Sequence, residues 1–391
     1  MTSFDNKNYR ISSPDVLRGF VIVVMALDHI RDYFGTTPFQ PEDLTQTYPA
    51  LFFTRWITHL CAPTFIFLAG TSAWLYGNKI QDTRKLSRFL FTRGLWFVLL
   101  EFLVGNTSMM FDWPWNKGFL LALVIWAIGI SMIALSVLVY LPMRWIMGIG
   151  ITMIVGHNLL DSISPEMLGS FGWLWKILHV GGSFIPLAAN GSFGFVVAYP
   201  LIPWIGVMAL GYSFGPVMRW ESKRRQRFLW QVGLGLIVFF LALRATNFYG
   251  DLRDWAPQER GFTYSILSFL NVTKYPPSLL FLSITLGISA LLLLLFERWK
   301  GVIPSFFENF GRVPFFFYLV HFPFVHLLSK MYFGWNTDFL FGSKDTIPPD
   351  YVPNLGLVYA VWVFVIAVMY FLCKWYGRYK FSHTQWWLKY L

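Results

Sequence analysis

The first place to look for chemistry is the run Asp28-His29-Ile30-Arg31-Asp32. A carboxylate beside an imidazole can fix its tautomer and steady its protonated form, as a general base requires. On a helix Asp32 falls one turn beyond His29, and Arg18, three turns earlier, shares its face. Asp15 and Arg18 stand at the spacing of an i,i+3 ion pair. In a second segment Arg55 and His59 are one turn apart, and Pro63 follows. Proline has no N–H for the His59 carbonyl, so the helix kinks there and a buried acceptor is freed. Such broken backbone is tolerated where it lines protein or a wet cavity. Gly70 and Ser72 equally suit close helix packing. In a third segment Arg93 and Glu101 lie on nearly one face, Asn106 follows, and an ion pair of Glu101 with Arg55 or Arg31 is the plain structural expectation. His157, Asn158, Arg244, Asn247 and His326 are further polar residues in apolar surroundings; His321, close to Pro323, reads as a cavity residue or a satisfied core histidine.

Other chemistries find little support. No His-x-x-x-His pair occurs among His29, His59 and their neighbours, so no metal site is expected. There is no nucleophile elbow, phosphate loop or dinucleotide fingerprint. Cys61 and Cys373 fall at different depths of the predicted helices, and no redox motif surrounds them. A net charge of +11 without a basic soluble domain argues against nucleic acid as a partner.

The elements that carry these residues are membrane helices. Of 391 residues, 56% are hydrophobic and 13% charged, against about a quarter charged in soluble domains, so lipid must solvate much of the surface. Forty-one phenylalanines and 19 tryptophans suit aromatic belts at two interfaces. About twenty apolar residues make a span. The chain offers ten: 16–34, 51–76, 86–106, 118–141, 143–160, 193–218, 228–247, 276–297, 312–333 and 354–376. The Gly- and Trp-rich stretch 166–190 suits an interfacial or re-entrant segment. The first apolar run ends in charged residues, not a cleavage site, and is expected to be retained. With the N-terminus inside, 21 of the 31 lysines and arginines fall on the cytoplasmic side, among them Lys7, Arg10, Arg84, Lys85, Arg88 and Lys389. The expected fold is therefore all-α: a polytopic bundle of about ten transmembrane helices with both termini cytoplasmic. Residues 1–391 form one domain, with a cytoplasmic segment 1–14 and a cytoplasmic tail 377–391. An ionisable residue inside a span costs roughly 2.5–3.5 kcal/mol, so the histidines and carboxylates above are functional candidates.

The pattern Arg10-Ile11, Asp15-Val16-Leu17-Arg18-Gly19, Met25, Asp28-His29 resembles the first helix of the transmembrane acyltransferase superfamily. That group includes acyltransferase-3 enzymes and heparan-α-glucosaminide N-acetyltransferase-like proteins. The run Trp56-Ile57-Thr58-His59-Leu60-Cys61-Ala62-Pro63 followed by Phe67-Leu68-Ala69-Gly70 is most similar to a bacterial branch of the latter. The resemblance is specific over roughly residues 10–105. It implies an acyl-CoA co-substrate, usually acetyl-CoA, no permanently bound cofactor, a carbohydrate acceptor on the far side, and a bacterial inner-membrane location. His29 falls where the acyltransferase-3 branch keeps its essential base, and Arg18 matches that motif's arginine. The N-acetyltransferase branch differs: an Asn stands at its first-helix position and an Asp where this chain has His59, which leaves the identity of the base open.

The expected activity is acyl transfer across the membrane. His29, oriented by Asp28 or Asp32, serves as base, acting directly or through an acyl-histidine. Arg55 or His59 stabilises the oxyanion. Arg18, Arg31, Arg55 and Glu101 are assigned to substrate, and Arg84 and Arg88, with Lys85, to the CoA phosphates. The rival reading is a proton-coupled small-molecule transporter using the same His and Asp cluster. Lipid, acyl-CoA and a glycan are the expected partners, and self-association is left open.

Overall fold

The structure is a computed structural model that describes residues 11–339, 351–385 and 388. Lys7, Arg10 and Lys389 lie outside these residues. The first five helices are α1 (Ser13–Phe34), α2 (Pro49–Trp56), α3 (Cys61–Ile80), α4 (Thr83–Leu100) and α5 (Asn106–Met110). A short α6 (Pro114–Lys117), strand β1 (Phe119–Ala122), α7 (Val124–Leu138), α8 (Met143–Gly156) and α9 (Gly172–Leu178) follow. Strands β2 (Ser183–Pro186) and β3 (Gly194–Val197) precede α10 (Leu201–Phe214) and α11 (Ser222–Thr246). The remainder is α12 (Phe262–Leu270), α13 (Leu279–Arg298), α14 (Val302–Gly311), α15 (Pro314–Phe333) and α16 (Leu355–Ser382).

Capping chemistry fixes many of these ends. Pro14 occupies the first turn of α1, where its missing N–H costs nothing. Asp82, Ser278 and Asn354 each accept a backbone N–H at the start of α4, α13 and α16. Gln81 and Asn247 adopt the left-handed conformation that closes α3 and α11. The helix containing Arg55 does not run straight into α3. Residues 57–60 tighten into a 3-10 turn just before Pro63, which is the break that proline predicted. In α4 the ladder widens into a single π turn at Glu101–Gly105.

Helix α1 is the hub, packed on α3, α13, α14, α15 and α16. At its crossing with α14 the backbones touch: a Cβ on Gly19 would come 1.7 Å from the Phe307 carbonyl, and one on Gly311 would come 1.7 Å from the Asp15 carbonyl. Gly70 and Gly211 meet the same way between α3 and α10. This is the small-residue packing used where lipid gives helices no hydrophobic reason to associate. The strands form one three-stranded sheet, order β1-β3-β2, in which β3 pairs parallel with β1 and antiparallel with β2.

The chain is a multi-pass membrane protein. Among the described residues six helices are long and apolar enough to cross a bilayer, or eight if each of two bent pairs counts once. The expected ten differ for identifiable reasons. Helix α1 has the length, but Asp15, Arg18, Asp28, Arg31 and Asp32 make it too charged to qualify on composition. The stretch 118–141 opens with β1, leaving α7 only 15 residues. Residues 143–160, expected as a span of their own, pair with 165–178, the start of the stretch expected to be interfacial or re-entrant, and the two are bent by 115°; α14 and α15 form the other bent pair, at 82°.

Candidate active site

The stripe of α1 that carries Arg18 and His29 lines two cavities stacked end to end. The first, about 470 Å³, is walled by Asp28, His29, Arg31, Asp32 and Tyr33 of α1, with Arg55, Thr58, Tyr199, Lys274 and Tyr275. The second, about 390 Å³, takes Arg18 and Ile22 from α1, Arg93 and Phe97 from α4, and Arg312, Phe315 and Lys380 from the C-terminal helices. Met25, Phe65, Val124 and Tyr318 line both, so these four side chains form the partition between them. Arg18 and His29 are eleven residues apart, about 16 Å along a helix.

In the first cavity the carboxylates face arginines. Arg31 donates to Asp28 (3.1 Å) and Asp32 (2.7 Å), and Arg55 donates to the other oxygen of Asp28. Arg55 also donates through Nε to Glu42 at 2.9 Å. Glu42 belongs to the loop after α1, which Asn271 ties down by donating to the Glu42 carbonyl at 2.9 Å. Burial pushes the Glu42 carboxyl up, but His59 and Arg55 beside it outweigh that and hold it well below the usual carboxylate range.

His29 therefore has a different orienting partner from the one expected. Its Nδ1 lies 2.7 Å from Nε2 of His321, and its ring stacks on Phe322 with centroids 4.1 Å apart. His321 in turn bonds through Nδ1 to the Phe317 carbonyl at 2.9 Å. A carbonyl only accepts, so His321 carries its proton on Nδ1. With both rings neutral, Nε2 of His321 accepts from His29 Nδ1–H. Nε2 of His29 is left as the unprotonated nitrogen of a residue that lines the cavity. Asp28 and Asp32, assigned from sequence to orient this ring, are occupied by Arg31 and Arg55 instead.

The remaining candidates separate. His59 is buried and lines neither cavity; its Nε2 is 3.6 Å from Glu42 Oε1 and its ring packs on Phe281. The expected meeting of both imidazoles in one pocket does not occur. Glu101 forms no ion pair with Arg55 or Arg31 among the described residues. Its Oε2 accepts the N–H groups of Ile125 (2.9 Å) and Trp126 (3.1 Å), which satisfies the start of α7. Asn106 accepts from the Leu121 N–H at 2.6 Å and donates to its carbonyl at 3.0 Å, fastening β1. Arg18 donates to Asp15 (2.9 Å) and to Ser72 (3.0 Å) while facing the second cavity. Arg84, Lys85 and Arg88 are exposed on α4 and line neither cavity. Lys274, Tyr275, Tyr199 and Glu42 were missed because they sit in loops or at loop edges, where spacing carries no facial information.

Residues 10–246 match the model of the protein family described as Heparan-alpha-glucosaminide N-acetyltransferase, catalytic. The match spans α1 to α11, whereas Lys274, Arg312, His321 and Lys380 lie beyond it. No curated protein matches the chain.

Proposed function

The chain belongs to the heparan-alpha-glucosaminide N-acetyltransferase catalytic family of membrane acyltransferases, and from that premise we propose that it carries an acetyl group from cytoplasmic acetyl-CoA to a carbohydrate on the opposite face of the bacterial inner membrane. The observation that supports this most is the pair of adjoining cavities that share four lining side chains. The basic cavity suits the phosphates of the donor, with Arg18, Arg93, Arg312 and Lys380 around it. Arg84 and Arg88, exposed on the same helix α4 that supplies Arg93, add a steering field for a polyanion. An extended pantetheine arm laid along α1 past Met25 brings its thioester to His29. Both termini are then cytoplasmic, in keeping with the basic loops.

At His29 the acceptor hydroxyl or amine gives its proton to Nε2 as its heteroatom attacks the thioester carbonyl carbon. The carbon–sulfur bond breaks as the tetrahedral intermediate collapses, and the thiolate leaves with the proton from Nε2 as CoA–SH. His321 acts as a positioning residue, holding His29 in the tautomer whose lone pair is on Nε2. Lys274 lines the cavity and has no carboxylate within ion-pair distance among the described residues, which supports its ammonium, with Arg55, as the group that meets the developing oxyanion. Tyr199 and Tyr275 supply the aromatic and hydroxyl surface a sugar needs.

The test is reconstitution of the full-length protein in vesicles, with labelled acetyl-CoA on one side and mixed glycans on the other. Label on glycan that is lost in His29→Ala is the expected result. Full turnover in His29→Ala with none in His59→Ala refutes the assignment of the base. Solute uptake without acyl turnover refutes the enzyme.

A further inference from the structure

A second cluster of ligand-type side chains lies outside both cavities, where α8 ends in a tight turn. His157 and Asp161 come from that turn and its end, and His179 follows α9. One ring nitrogen of each histidine and one carboxylate oxygen of Asp161 all lie within 4.8 Å of one another. His179 Nε2 is 2.9 Å from Asp161 Oδ1. The histidines are buried, with 1% and 3% of their surface exposed. Neither ring nitrogen of His157 completes a hydrogen bond, although the Pro277 carbonyl faces it, and Nδ1 of His179 is also without a partner among the described residues. Unsatisfied imidazole nitrogens gathered at one buried point carry a desolvation cost that the Pro277 carbonyl and the Asp161 contact offset only in part. The second oxygen of Asp161 accepts from Asn158 Nδ2 at 2.8 Å, an outer hydrogen bond of the kind that orients a carboxylate ligand.

We propose that His157, Asp161 and His179 bind one zinc ion, with water in the fourth position. Two imidazoles and a carboxylate are a zinc donor set, whereas calcium and magnesium take oxygen. Tetrahedral bonds of about 2.0–2.2 Å place neighbouring donors roughly 3.3 Å apart, within reach of these side chains by small rotations. The ion ties α9 to the end of α8. Its influence extends one step further: Asn158 Oδ1 accepts the Leu279 N–H at 2.9 Å, at the start of α13. The loop immediately before that point delivers Lys274 and Tyr275 to the His29 cavity. Zinc here is a positioning ion, one loop removed from the reacting groups.

For the test, full-length protein freed of any purification tag is stripped with a chelator, titrated with Zn²⁺ alone, desalted, and its metal counted. One Zn²⁺ per chain is expected. Affinity should fall at least about tenfold in His157→Asn and in His179→Asn, and stay unchanged in His383→Ala, a change at an exposed histidine elsewhere. Absence of binding in the natural sequence, or full affinity in both Asn variants, overturns the proposal. If those variants do not fold, zinc-edge X-ray absorption of the natural protein decides: a first shell with two imidazoles supports the site, and a shell of sulfur or of oxygen alone overturns it.

Discussion

The two cavities along α1 are built from opposite electrostatics. Around His29, positive and negative side chains interlock: Arg31 and Arg55 face Asp28, Asp32 and Glu42. The other cavity is lined by four cations and no carboxylate, although Arg18 and Arg312 have Asp15 and Glu308 as partners close by. The first arrangement is cross-linked by ion pairs and close to neutral, which suits holding a nucleophile and a base in register. The second offers a field for multiple negative charges, which suits gripping a polyanion. A single helix face supplies both because its period returns a side chain to the same wall every three or four residues.

If that division is right, each cavity fails in its own way. The largest effect is expected from His29→Ala, with acyl transfer falling by roughly 10²–10⁴ while CoA binding, measured by titration calorimetry, is retained. Loss of CoA binding as well would merge the two cavities into one function. Next comes Arg55→Met, which leaves Asp28 and Glu42 without a shared partner and should cost about 3–5 kcal/mol, read from unfolding in detergent. Third, Arg93→Ala should raise KM for acetyl-CoA about tenfold, near 1.4 kcal/mol, with little change in kcat and none for a short thioester donor that lacks the phosphates. Equal damage with both donors would remove the basic cavity from phosphate recognition.

The smallest effect is in pH dependence. Glu42 is held below its ordinary value of 4.5, so the stability it contributes is full above that value and is lost as pH falls through the lower folded value. The stability gap between the natural protein and Glu42→Gln should stay level from pH 7 to about 5 and narrow only in more acid solution. Narrowing already at pH 6 would mean that the ion network does not hold this carboxylate.

What the sequence made legible follows from helical periodicity. Arg18, Asp28, His29 and Asp32 fall on the wall of a cavity because one helix sets their spacing, and the 3-10 break before Pro63 follows from a missing N–H. Partners from distant segments were hidden. His321, the group that orients His29, comes from α15, 292 residues away. The nearby Asp28 and Asp32 were the natural guess, yet arginine outcompetes a neutral imidazole for a carboxylate. Glu101 was expected to pair with an arginine, but the extended backbone at Leu123 starts α7 with exposed N–H groups that need an acceptor. The span count overshot because α1 carries five charged residues, and because hydropathy cannot tell a spanning helix from a short one joined to a strand, as at 118–141, or from one bent upon its neighbour.

The partition of Met25, Phe65, Val124 and Tyr318 has a physiological consequence. Two water-accessible hollows meeting inside a bilayer would short-circuit the membrane potential if they joined, since one elementary charge crossing 100 mV releases about 2.3 kcal/mol. On the proposed reaction, with the cavities opening to opposite faces, these four mostly apolar side chains would act as an electrical gasket. A slender thioester tether would displace that gasket, whereas a hydrated proton or sodium ion would gain nothing by doing so, and an energised membrane would keep its charge between turnovers.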